Sequence, residues 1–394
     1  MPSSLKLRVD SLRSSTTPSI QALQGLTFVI AMWLFSRLVI IVTMQLISPH
    51  YPAIPVVHPE PGPLDFVPGF IPKPSWDLFA HWDAAWFRQI ATKGYEYIPD
   101  GKMHSIAFFP LLPLAMRALM TFGIPVEIAG VLVNNLAFMG ALIILYRWTE
   151  ERHGVSAARW ATAALAWCPF SLYGTVIYSE GLFLLLTTAS LRAFEKGQYK
   201  RAALWGALTT ATRVTGAALI PTFLIVAWRE KRSPIAYVAA LATGLGLLSF
   251  MIFCAIRFND PLAFVHVQKG WGIQAGFNLE GWKELFVTIF TWQHSALKEL
   301  TKVIMLFGGA YLLWHFRREL PRVALIYGIC SIALILNSGA MWSINRYAFA
   351  IVSLSIALGI LLSRHRRWGY ATMGFFGILL FDFTIRFSWW RWIS

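Results

Sequence analysis

The sequence is poor in charge, in acid and in thiols. Only 13% of its 394 residues are charged while 57% are hydrophobic, and the mean hydropathy is +0.57. A soluble domain carries about 25% charged residues, so the chain reads as a membrane protein. Acidic residues number 19 against 34 Lys plus Arg, a net charge of +15. In a soluble protein that excess would suggest nucleic acid, but the basic residues sit in short clusters between apolar runs, where the positive-inside rule accounts for them. Cys168, Cys254 and Cys330 each lie in an apolar run without a C-x-x-C pair. That excludes a disulfide framework and leaves three small buried hydrophobes. There is no Walker A loop, no G-x-G-x-x-G after a strand and no soluble nucleotide-binding domain, so a cytoplasmic nucleotide is not the expected energy source. No His/Cys cluster has metal-ligand spacing.

What is present is a series of apolar runs close to the length that crosses about 30 Å of hydrocarbon. Lys6, Arg8 and Arg13 precede the first, near residues 23–47. That run is too long for a signal-peptide core and ends without a small-x-small cleavage site, so it is expected to stay as an anchor behind a cytoplasmic tail, 1–22. A first outside loop spans 48–106, and nine of the chain's 20 prolines fall within 49–74. This density forbids regular helix there and predicts an extended lead-in. "AFFPLLPLAMRALM" reads as a short apolar element broken by Pro110 and Pro113. Residues 126–148 return to a basic inner cluster, 160–176 go out, and 181–194 come back.

The run 202–228 has positive residues at both ends. A single crossing would break the charge rule, whereas two half-helices turning near "TRVTG" would obey it. Residues 234–256 exit, a second outside loop covers 257–300, and crossings follow near 302–316, 322–338, 347–363 and 368–388. The expected fold is one all-α polytopic membrane domain, 1–394, of about ten or eleven transmembrane elements, with interfacial helices in the first outside loop.

The stretch "HWDAAWFRQIATKGYEY", residues 81–97, holds the first candidate site residue. Turned at about 100° per residue, a helix here puts Phe79, Trp82, Trp86, Phe87 and Ile90 on one face with Asp83 among them, and His81, Arg88 and Thr92 opposite. A carboxylate in such company must be desolvated or face a cavity. Asp83, Glu96, His104, Glu180, Arg213 and Arg346 all fall near the outer leaflet, and ionisable residues at membrane depth are costly and usually functional. The set suits group transfer from a lipid-linked phosphate. A carboxylate takes the proton of an attacking hydroxyl, arginine stabilises the departing phosphate, and Trp76, Trp82, Trp86 or Trp271 stacks on a sugar.

Plainer accounts stand beside these. Asp83 could cap a helix or pair with a nearby cation, Glu96 could solvate its loop, and His104 could be a simple loop residue. Glu180, after Tyr178 and Ser179, could cap the next helix. Arg346 with Tyr347 could anchor a helix at the interface, and Trp271 could pack the second loop. Asn134 and Asn135 read as interhelical hydrogen-bond glue, and "SWWRWIS" as an interfacial aromatic belt.

"HWDAAWFRQIATKGYEY" followed by "AFFPLLPL" resembles the first luminal loop of the PIG-V mannosyltransferases, the GPI mannosyltransferase 2 family, with its W-D-x-x-x-F, G-Y and F-F-P-x-x-P series. "CPFSLYGTVIYSEGLFLLL", "ATRVTGAALIP", "DPLAFVHVQKGWG" and "INRYAFA" resemble further segments of that family in the same order, so the likeness runs from about residue 81 to 350. The resemblance implies a GT-C glycosyltransferase that inverts the anomeric centre and uses a polyprenyl- or dolichyl-phosphate sugar, typically mannose, on the outer or luminal face. The family's first-loop Asp, its presumed base, maps onto Asp83. The compact chain points to a bacterial relative in the plasma membrane, or to the endoplasmic reticulum membrane if the source is eukaryotic.

The expectation is therefore a hexosyltransferase, most simply a mannosyltransferase, acting on a lipid, glycan or protein acceptor. Asp83 is its base, and Trp82, Glu96, His104, Tyr178, Glu180, Arg213, Trp271, Arg346 and Tyr347 contact substrate. No cofactor is expected beyond the lipid-phosphate sugar as co-substrate, with a divalent metal left open, and a membrane partner subunit is also open. No nucleic acid is expected. The rival from another class is a polytopic transporter or lipid flippase, which broken helices and buried charges would also suit.

Overall fold

The computed structural model describes residues 18–51, 71–293 and 296–394. Most of the expected tail and of the proline-rich lead-in lies outside the described residues. Helices dominate: α1 (Pro18–Val42), α2 (Asp83–Lys93), α3 (Leu111–Met120), α4 (Val126–Trp167), α5 (Glu180–Glu195), α6 (Tyr199–Thr210), α7 (Leu219–Arg229), α8 (Pro234–Ala242) and α9 (Leu245–Phe258). They continue as α10 (Ala263–His266), α11 (Leu279–Phe290), α12 (Ala296–Val303), α13 (Gly309–His315), α14 (Arg322–Leu336), α15 (Ile344–Phe349), α16 (Val352–Arg364) and α17 (Arg366–Ser388). Among the described residues the one β-bridge joins Gly276 to Ser338.

Among the described residues, four stretches are long and apolar enough to cross a membrane: Ile20–His50, Val126–Trp167, Pro234–Phe258 and Arg366–Ser388. The remaining apolar helices are shorter, because this bundle breaks its helices often. A straight α4 of 42 residues would be about 63 Å long, twice the hydrocarbon thickness. It folds back at Gly154, whose φ of +80° is open to glycine without a Cβ clash. The bend sits at the basic end of the bundle, where Arg152 meets Glu195 at 2.6 Å and Lys196 meets Glu151 at 2.9 Å. The returning limb packs tightly on α16, since a Cβ at Gly359 would meet the Ala161 backbone nitrogen at 2.7 Å. Small residues let membrane helices approach this closely.

The segment expected to be two half-helices is α6 and α7, with extended backbone at Arg213 (φ −156°, ψ 145°) between them. Phe194, at the basic end of α5, contacts Tyr199 at the start of α6 and stacks on Phe223 of α7 at 4.0 Å. Its carbonyl also accepts a hydrogen bond from Arg232, just past α7. The chain thus leaves the basic end, turns at Arg213 and returns to the same end, which reconciles the two flanking positive clusters with the charge rule.

Three local expectations are corrected. Pro110 and Pro113 do not break the apolar element after the first loop. They fall at the N-cap and first turn of α3, where a missing N–H costs no helical hydrogen bond. The helix expected to carry Asp83 on its apolar face starts at Asp83 itself, so Phe79 and Trp82 precede it instead of sharing that face. Asn134 and Asn135 do more than tie helices together, because the carbonyls of Tyr173 and Val176 accept from Asn134 Nδ2 at 2.8 Å each and that of Thr175 accepts from Asn135 at 3.0 Å. These carbonyls belong to a stretch without α-helix between α4 and α5. Backbone of that kind survives at membrane depth only when protein groups satisfy it. Arg37 of α1, buried at 2% exposure, completes the job by donating to Ala166 O and Ser171 O at 3.2 and 2.9 Å.

Candidate active site

The non-basic ends of α5, α6 and α14 and the two segments read from the sequence as outside loops surround a cavity of about 970 Å³. Its wall carries four charged side chains: Asp83, Glu180, Arg213 and Arg346. They form one chain of contacts. Arg346 Nη1 donates to Asp83 Oδ2 at 2.6 Å, Arg346 Nε lies 3.0 Å from Glu180 Oε1, and Arg213 pairs with the same Glu180 oxygen. Two carboxylates thus offset two guanidiniums in a region where an unpaired charge would be expensive. Arg346 is also ringed by aromatics, its Cζ 5.2 Å from the Tyr178 ring centroid, 5.6 Å from Tyr347 and 5.8 Å from Trp392. Arg213 lies over Tyr347 at 5.1 Å.

Each member is delivered by a break in regular structure. Glu180 opens α5, where Gly181 lets that helix sit against α4: a Cβ there would meet Asn134 O at 2.3 Å. Arg213 occupies the hairpin tip, whose Ala211 carbonyl accepts from Leu111 N at 3.1 Å. Arg346 lies on the short α15, entered through Ser343 in left-handed backbone (φ +64°). Asp83 follows Trp82, whose φ of +58° and ψ of −125° place it at the first central position of a tight turn. Ala84 N–H closes that turn on His81 O at 3.3 Å. Glycine is the residue that usually takes this conformation, and a tryptophan held there stores strain of about 1–3 kcal/mol. Asp83 N–H donates to the Tyr178 hydroxyl at 3.2 Å, and its carboxylate sits at the positive end of α2.

Of the ten residues singled out from sequence, Asp83, Trp82, Tyr178, Glu180, Arg213, Trp271, Arg346 and Tyr347 line the cavity. Glu96 and His104 do not. Glu96 is exposed and accepts from Gln89 at 2.9 Å, and His104 pairs with Asp100 at 2.8 Å. Trp86 stands behind the wall, 6.2 Å from Trp271, and Trp76 is half exposed. The sequence reading missed Trp392, which lines the cavity. Its signal was the tryptophan cluster of "SWWRWIS", which composition alone cannot tell from an interfacial belt. It also missed Arg37, a guanidinium inside an apolar run.

Titratable groups outside the spans report how the loops are held. Burial pushes His81 down to about 4, partly offset by the Phe387 carbonyl at 3.1 Å. Asp260 is partly desolvated, yet its carboxyl stays below the usual range because His266 at 2.8 Å, the Leu262 N–H and the Tyr97 hydroxyl at 3.0 Å all donate to it. This cluster fastens the second outside loop to the first. Both loops supply cavity wall, Met103 from one and Trp271 from the other.

A sequence model described as Mannosyltransferase (PIG-V) matches residues 22–228, more than half of the chain. The chain belongs to that family. Within the PIG-V family it is similar to the human GPI alpha-1,6-mannosyltransferase 2, 30% identical over 148 residues, which are 35% of this chain and 29% of that protein. The match thus spans under a third of the curated relative's length. Among solved structures it is similar to ArnT from Cupriavidus metallidurans bound to undecaprenyl phosphate, at TM-score 0.54 and 14% identity over 91% of this chain and 63% of that one. At that identity the likeness concerns the fold, which is that of the GT-C membrane glycosyltransferases.

Proposed function

We propose that this PIG-V family member transfers mannose from a polyprenyl-phosphate donor to an acceptor hydroxyl at the outer face of its membrane. The observation that carries the reading is the chain Asp83–Arg346–Glu180–Arg213 in the wall of a cavity wide enough for a sugar and a prenyl phosphate. In the proposed step the acceptor oxygen attacks the anomeric carbon from the side opposite the phosphate while Asp83 takes its proton. The sugar–phosphate bond breaks with inversion, and the leaving phosphate gains one negative charge. Arg213 meets that charge. Arg346 contacts both carboxylates and therefore serves first to aim Asp83, whereas Arg213 has Glu180 as its carboxylate partner among the described residues. Trp271 and Trp392 offer ring faces for the sugar.

The transporter or flippase alternative needs a path open in turn to both leaflets. The cavity-lining residues come from loops and from helix ends remote from the basic clusters, which favours a one-sided enzyme. The acceptor is read as a lipid, glycan or protein hydroxyl at the bacterial plasma membrane, or at the endoplasmic reticulum membrane if the source is eukaryotic. The test is transfer of label from polyprenyl-phosphate [³H]mannose to native-host membranes, with and without the protein. Label appearing in a new product only with the protein supports the reading. An active preparation that moves label from GDP-mannose, but not from the lipid donor, overturns it.

A further inference from the structure

Residues 387–394 lie far along the sequence from the first outside loop, outside the region matched by the family model, yet pack against it. His81 stacks on Trp390 with ring centroids 4.0 Å apart and planes 22° from parallel. The Phe387 carbonyl is 3.1 Å from His81 Nδ1. Trp82 is wedged between Trp390 at 5.6 Å and the edge of Trp392 at 5.3 Å. The segment is fastened to the bundle in turn, because Trp389 Nε1 donates to Ser48 O at 3.1 Å and the Tyr173 hydroxyl donates to Ser394 Oγ at 2.8 Å.

These contacts fall on the first two residues of the tight turn, residues 81–84, that contains Asp83. Trp82 holds φ +58°, a value its side chain resists, and such strain persists only where the surroundings over-determine it. The aromatic and polar contacts from residues 387–394 do so. If they are removed, the turn can relax to an ordinary conformation, and the first residue of α2 moves with it. Asp83 would then lose register with Arg346, now 2.6 Å away.

We infer that residues 387–394 form a strap that positions Asp83, with Trp390 as its positioning residue. The inference rests on Asp83 acting as the base, so the experiment reads position and turnover separately. The full chain in lipid nanodiscs is compared as wild type, Trp390→Leu, which removes the stack but keeps apolar bulk, and Trp390→Phe, which keeps a ring. Amide hydrogen exchange over residues 83–87 is expected to speed up by about tenfold or more in Trp390→Leu and to return close to wild type in Trp390→Phe. Mannosyl transfer should show kcat lowered by about tenfold or more in Trp390→Leu, since small displacements of a reacting group cost such factors. The donor KM should stay within about twofold, and Trp390→Phe should recover most of the loss.

Unchanged exchange in Trp390→Leu overturns the strap, as does a Trp390→Phe variant no better than Trp390→Leu. If Trp390→Leu fails to fold, His81→Leu dismantles the same stack from the loop side and is read by the same two measurements. If wild type transfers no mannose, the reading of Asp83 as base fails while the exchange data still decide whether the strap holds its turn.

Discussion

Replacing Asp83 by Asn separates a base from an ion-pair partner. The side chains of Asp83 and Arg346 are 15% and 7% exposed at 2.6 Å separation, so their charges interact with little screening. Breaking a buried pair outright costs about 3–5 kcal/mol. Asn keeps an acceptor oxygen for Arg346, which reduces the expected stability loss to about 1–3 kcal/mol. The effect on rate should be of another kind. Removing a general base lowers turnover by about 10²–10⁴, or about 3–5 kcal/mol of barrier. Glu180→Gln is the matched control, because it takes one carboxylate from the same four-membered network without touching Asp83. It should weaken donor binding more than kcat. The assay is initial mannosyl transfer from purified polyprenyl-phosphate mannose, at equal amounts of folded protein, with kcat and donor KM fitted separately. An Asp83→Asn protein that keeps more than about a tenth of wild-type kcat, or that loses no more kcat than Glu180→Gln, would refute the base assignment.

Other outcomes follow from the same contacts. Arg213→Lys keeps the charge but loses the planar fork, so donor KM should rise by about tenfold in the same assay, while an unchanged KM would place the phosphate elsewhere. His81 is held neutral with a value near 4 against its ordinary 6.5, so the unfolded chain takes up a proton that the folded one refuses. Stability should therefore fall as pH drops from 6.5 towards 4, by about 3 kcal/mol in all, in thermal denaturation of the detergent-solubilised protein, and His81→Phe should flatten that slope. The lowered Asp260 carboxyl contributes stability that is complete above the ordinary 3.8 and is lost as pH falls through its lower folded value. Protease cleavage in the second outside loop should rise only in that acid range. Gly181→Ala drives a methyl into the Asn134 backbone and should destabilise the protein by about 1–3 kcal/mol, read as a lower Tm together with reduced transfer.

Much of the architecture is legible in the sequence because the bilayer is a demanding solvent. Apolar runs, positive clusters and the double-positive flank of 202–228 follow from hydration cost and charge placement, which act residue by residue. The hairpin at Arg213 is such a case. The candidate cluster was visible only in part. Intramembrane arginines and carboxylates stand out against an apolar background, so Asp83, Glu180, Arg213 and Arg346 could be picked from composition and likeness alone. Glu96 and His104 carried the same signal, and the structure points them at Gln89 and Asp100 instead.

By itself the sequence determined that this chain lives in a membrane, which end of each helix is basic, and which few ionisable residues had to be accounted for. Tertiary structure alone decided their partners. Asp83 and Arg346 are 263 positions apart, and no periodicity encodes that a guanidinium from one will meet a carboxylate from the other. The same holds for Trp390 and Trp392, whose indoles read as an interfacial belt until the chain closes and sets them against His81 and Trp82. Pairing energies of this kind depend on distance and burial, quantities that exist only once the helices have packed.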